Sequence, residues 1–73
     1  MKKINNYCLH YFDEQIDLIL PKLKKAVSAL VYQIFVTETL PLYRKEIKTE
    51  PLMDFYMVDK LLEEITAYYR LER

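Results

Sequence analysis

No glycine occurs in this chain of 73 residues, and proline occurs only at Pro21, Pro41 and Pro51. Glycine is the usual residue of tight hairpin turns and of the left-handed position that closes many helices. A chain without it is poorly equipped for β-structure, and it predicts helices joined at proline-marked breaks. The expected fold is therefore all-α: a small helical bundle in a single domain over 1–73. Its three main helical segments are expected at about 6–20, 22–38 and 50–71, with a short connector between the second and third.

The apolar spacing supports this division. At about 100° per residue, Cys8, Leu9, Phe12, Ile16, Ile19 and Leu20 share one broad face, with His10, Asp13 and Asp17 opposite. Asn5 or Asn6 offers a short side-chain acceptor to cap the start. A second, narrower stripe of Tyr7, Tyr11 and Leu18 lies away from the main face, and a helix that buries one side does not need it. The apolar positions 9, 12, 16, 19 and 23 pass through Pro21 without losing phase. With no glycine nearby to build a reversal, the first two segments are expected to run as one proline-kinked helix rather than to break at Pro21. The last segment starts at Thr49-Glu50-Pro51, a capping residue followed by an early proline. It sets Phe55, Val58, Leu61, Leu62, Ile65 and Tyr69 against Asp59, Lys60, Glu63 and Glu64, where Lys60 can pair with Glu64 one turn on.

AVSALVYQIFV, residues 26–36, is the most apolar stretch. A bilayer span needs about 20 apolar residues, and Lys24, Lys25 and Glu38 lie close by, so no transmembrane segment is expected. No second strand is available to pair with it, which leaves a helix with apolar residues on nearly every side. Leu23, Val27, Leu30 and Ile34 form the expected inward stripe. Tyr32, Phe35, Val36 and Ala29 cover the far side. A chain of this size removes only about 60% of its unfolded surface from water, and its one cysteine, Cys8, permits no internal disulfide. Self-association is the remaining remedy, so a homodimer with residues 23–36 at its centre is expected.

Chemistry is sparse. Cys8 and His10 would project about 200° apart on a helix, the wrong geometry for a nucleophile and its base; Cys8 reads as core and His10 as surface. His10, Asp13, Glu14 and Asp17 could share a helix face and hold an ion if a second helix or a second copy supplied more ligands, but a solvated charged face is the preferred account. Glycine-rich phosphate loops are absent, and Ser28 is the only serine. Neither an enzyme nor a cofactor or metal is expected.

The 11 basic and 11 acidic residues balance, so the chain has no general attraction for nucleic acid or anionic lipid. Basic residues do cluster, as Lys22, Lys24, Lys25 and as Arg44, Lys45, Lys48. If the fold brought these clusters together, with Tyr43 stacking on a base, they would serve a nucleic-acid-binding accessory protein. Interleaved acids make this the second reading. A third, less favoured, is a membrane-associated helical protein of the immunity type, with residues 22–25 on headgroups. The first reading is a small non-enzymatic regulator, inhibitor or adaptor that binds another protein, of no stated identity, through an apolar, tyrosine-rich surface. Seven tyrosines are an excess that suits interfaces; Tyr7, Tyr11, Leu18, Tyr32, Phe35 and Val36 are the expected contact residues. MKKINN is not followed by a long apolar run, unlike a secretory signal, so a cytoplasmic location is expected. The Lys-, Ile-, Asn- and Tyr-leaning composition suits a bacterial or phage genome rich in A and T.

Overall fold

A computed structural model of the chain describes residues 3–72, Lys3 by its backbone alone. It is an all-α bundle of three rods. Helix α1 spans Lys3–Ala26. The second rod joins α2, Ala29–Ile34, through a π-helical segment, Phe35–Thr39, to α3, Leu40–Thr49. Helix α4 spans Phe55–Tyr68. No strand occurs among the described residues.

Cross-helix contacts fix the directions. Arg44 meets Asp13 and Asn5 meets Ile47, so the second rod runs antiparallel to α1. Tyr11 meets Asp59 and Lys22 meets the Glu72 carbonyl, so α4 returns parallel to α1. The core between the rods holds Cys8, Phe12, Ile16, Ile19 and Leu23 from α1, Phe35 and Ile47 from the second rod, and Val58, Leu62 and Ile65 from α4. The inward faces expected for the first and last helices are largely those observed.

The breaks fall elsewhere than expected. Pro21 stands inside α1, on its exposed side, and the helix continues through it. The missing N–H strands only the Asp17 carbonyl, on an exposed residue where water can serve it. The reversal comes instead at Ser28, so residues 6–38 are not one helix. Ser28 is extended (ψ 159°), and its Oγ accepts from the Val31 N–H at 3.2 Å. This N-cap satisfies one of the free donors that any new helix exposes. Residues 39–49 are likewise no separate connector but the continuation of the second rod. The last helix starts later than the expected 50 and ends earlier than 71. Asp54, not Thr49, caps it, accepting from the Met57 N–H at 2.8 Å.

The π segment answers Pro41. In an ordinary helix the proline ring would press on the Thr37 carbonyl; the turn before it is widened, and the Leu40 N–H reaches five residues back to Phe35. Thr37 turns its hydroxyl to the Gln33 carbonyl at 2.7 Å. The widening also sets phase. Twelve residues of plain helix would place Phe35 and Ile47 about 120° apart, whereas one extra residue in a wide turn reduces this to about 20°. Both are buried in one core.

Asn5 is no helix cap for its own chain end. It lies inside α1, buried, and its Nδ2 donates to the Ile47 carbonyl at 2.7 Å and to the Glu50 carbonyl at 2.9 Å. The Ile47 carbonyl would ordinarily receive the N–H of residue 51, which is Pro51 and has none. Asn5 thus supplies from α1 the donor that α3 lacks at its end.

Among the described residues of this glycine-free chain the one left-handed position is filled by arginine. Arg70 has φ 56°. Around it Leu71 N–H bonds Thr66 carbonyl at 2.7 Å and Arg70 N–H bonds Ala67 carbonyl at 3.2 Å, the paired pattern of a Schellman closure.

Candidate protein-binding surface

Helix α2 carries Ala29, Leu30, Val31, Tyr32 and Ile34, yet none of its residues is buried. Leu30 is 68% exposed, Ile34 42% and Val31 38%. The expected inward stripe of Leu30 and Ile34 is therefore turned outward, because the break at Ser28 ends the phase inherited from Leu23. Val27, at the break itself, stays half-buried against the core.

Of the expected far side, Phe35 turns inward, Tyr32 and Val36 turn partly so, and Ala29 stays exposed. Phe35 is 1% exposed and meets Tyr69 edge-on with ring centroids 5.7 Å apart. It is a core residue, not a contact residue. Tyr32 and Val36 are half-buried. With Lys24, Ala29, Gln33 and Thr37 they line an open cleft of about 350 Å³ beside the end of α1, where the Lys24 ammonium stands 6.0 Å from the Tyr32 ring centre. Beside this cleft, whose lining includes the polar Gln33 and Thr37, α2 exposes the large apolar side chains Leu30, Val31 and Ile34.

The α1 stripe divides. Tyr7 and Leu18 are exposed. Tyr11 is half-buried, donates to Asp59 Oδ1 at 2.7 Å and packs edge-on against Phe55 at 5.6 Å. Tyr11 is thereby committed to joining α1 and α4. Phe55, expected inward, is itself 44% exposed.

The two basic clusters are not brought together. Asp13 lies opposite Arg44; Lys24 is eleven residues along α1 in one direction, and Lys48 is a turn along α3 in the other. At 1.5 Å per residue they stand about 22 Å apart along the bundle. Arg44 is held by Asp13 through two bonds of 3.0 Å each. Lys22 Nζ donates to the Glu72 carbonyl at 2.9 Å. Lys45 and Lys48 line a shallow cleft of about 220 Å³ with Pro41, Arg44 and Thr49, while Lys25 is exposed. Tyr43, the expected stacking residue, is stacked on Phe12 at 6.3 Å.

Of the acidic and imidazole group on α1, His10 meets Glu14 at 3.2 Å on the open surface and Asp13 serves Arg44. Among the described residues no three such ligands converge on a point. Cys8 is buried, and that burial, with the Asp54 carboxylate nearby, pushes its thiol up from the ordinary value. No helix among the described residues is long and apolar enough to cross a membrane.

One feature had no signal in the sequence beyond the tyrosine excess. Between the second rod and α4 runs a groove walled by Phe35, Tyr43, Tyr68 and Tyr69, with Glu64 at its side. Lys60, expected to pair with Glu64, meets Glu63 at 3.6 Å, and Glu64 instead accepts from the Tyr43 hydroxyl at 3.1 Å. Compared with protein-family models, with curated proteins and with solved structures, the chain matches none.

Proposed function

We propose that this chain is a non-enzymatic binding module, a regulator, inhibitor or adaptor, that grips another protein and works as a homodimer paired through α2. The observation that carries the proposal is a helix rich in apolar side chains with none of them buried. Large apolar side chains left exposed together on one helix mark contact sites in small proteins. Charge supports a second copy as the first occupant. Lys24 and Lys25 lie on the α1 side of this patch and Glu38 follows α2, so the patch is flanked by charges of both signs, which a second copy about a two-fold axis supplies in complementary order. A net charge of zero opposes such pairing with no self-repulsion.

Size limits the affinity. Six residues of helix are about 9 Å long, too short alone for the roughly 800 Å² per partner of a stable interface. The stem of Lys24 and the cleft side chains Tyr32, Val36 and Thr37 must join the contact, and the dimer is expected to be of micromolar strength. Sedimentation equilibrium tests this. The wild-type mass should rise with concentration from 8.9 kDa toward twice that value. The double variant Leu30→Glu, Ile34→Glu should stay at the monomer mass, and Leu18→Glu should behave as wild type. A monomer at high micromolar concentration, or dissociation by Leu18→Glu, would show the surface to be wrong.

A further inference from the structure

The groove between the second rod and α4 is more specific than an apolar contact patch. Its upper part encloses about 310 Å³ among Phe35, Thr39, Tyr43, Ile65, Tyr68 and Tyr69, with the Glu64 carboxylate on its wall. Its lower part, about 330 Å³, shares Thr39, Tyr43 and Glu64 and adds Leu42, Leu61 and a second carboxylate, Glu46. The aromatic walls are braced. Tyr69 meets Phe35 at 5.7 Å and Tyr68 at 4.8 Å, both edge-on, while Tyr43 rests on Phe12. Aromatic faces attract cations through their ring quadrupole, and a carboxylate at the same opening adds a charged acceptor. Among the described residues no basic side chain lines either part of the groove.

We infer that this groove receives the arginine side chain of a partner protein, the guanidinium lying against Tyr68 or Tyr69 and donating to Glu64. Arginine fits better than lysine on three counts. Its plane stacks on tyrosine, its paired N–H groups match a carboxylate, and it sheds water more readily than an ammonium. Tyr43 uses one acceptor position of Glu64, and a carboxylate offers about four. Glu46 favours a partner segment with further positive charge along the lower groove. The inference rests on the chain being a protein-binding module, but it makes no use of α2, so either can fail while the other stands.

The probe is Nα-acetyl-arginine methylamide, titrated into the full chain and followed by NMR, with the citrulline analogue as the neutral match and the lysine analogue as the ammonium match. Expected is a saturable, millimolar-range shift confined to Tyr43, Glu64, Ile65, Tyr68 and Tyr69, with citrulline silent and lysine weaker. Glu64→Gln should weaken binding about tenfold, as loss of a charge-assisted bond does, and Tyr68→Ala should weaken it as well. Glu63→Gln makes the same charge change on the neighbouring position and should leave it unaltered. No saturable shift, equal shifts with citrulline, equal binding of the lysine analogue, or equal loss in Glu63→Gln would each overturn the assignment.

Discussion

Asn5 offers the sharpest test of how the bundle is held. Replacing it with alanine removes the donor from the Ile47 carbonyl, which Pro51 cannot replace, at a cost of about 1–3 kcal/mol for a buried unpaired acceptor. The Glu50 carbonyl keeps the Met53 N–H at 3.2 Å, so its loss adds only about 0.5–1 kcal/mol. Two gains offset this. Alanine suits a helix interior better by roughly 0.5 kcal/mol, and the Asn5 Oδ1, buried without a partner among the described residues, is removed. The net expectation is about 1–2 kcal/mol, a fall in melting temperature of roughly 4–16 °C for a domain of this size. Asn5→Asp has nearly the same shape but turns a carboxylate oxygen on two carbonyls, and it should cost about 3–5 kcal/mol at neutral pH.

The aspartate variant carries its own pH signature. Burial and the facing carbonyls hold its carboxyl protonated in the folded state at pH values where the unfolded chain, near 3.9, has ionised. Between those two values the folded state binds more protons, so stability falls as pH rises and is recovered on acidification. Urea unfolding followed by circular dichroism at pH 4 and pH 7 measures both effects. If Asn5→Asp proved as stable as Asn5→Ala at pH 7, the bonds to Ile47 and Glu50 would not be what closes α3.

Two further perturbations probe the second rod and the end of α4. Arg70→Gly should raise stability by roughly 1 kcal/mol, since a left-handed residue with a Cβ costs about that much; a lower melting temperature would refute the closure described for residues 66–71. Burial first, and then the Glu64 charge, push the Tyr43 hydroxyl from 10.0 up to about 12. A raised pKa means the folded state keeps a proton that the unfolded chain loses, so stability should decline as pH climbs between those values. Tyr43→Phe should flatten that alkaline decline in pH-dependent melting, and an unchanged slope would remove Tyr43 as its source.

What was legible in the sequence follows from what periodicity measures. The inward faces of α1 and α4 are continuous apolar stripes over several turns, and Cys8, Phe12, Ile16, Val58, Leu62 and Ile65 could be placed from spacing alone. The second rod could not. Its phase is cut by the Ser28 cap, begun anew, and shifted once more by the wide turn before Pro41. Each event rotates every later side chain, which is why Leu30 exchanged places with Phe35. Prolines were weaker punctuation than expected, because Pro21 faces water and Pro41 is accommodated by a π turn. The end of the second rod depends on Asn5, more than forty residues away in sequence, and no local pattern announces that. The groove of Tyr43, Glu64, Tyr68 and Tyr69 is likewise assembled from separate rods, so the tyrosine excess could indicate contact surface without locating it.

Pairing through α2 is most directly tested by isotope-filtered NMR on an equal mixture of labelled and unlabelled chains at high micromolar concentration. Paired α2 helices give intermolecular contacts from the Leu30 and Ile34 methyl groups to α2 protons of the other copy. A mixture that shows no intermolecular contacts, or shows them only from Tyr7 and Leu18 on α1, would contradict it.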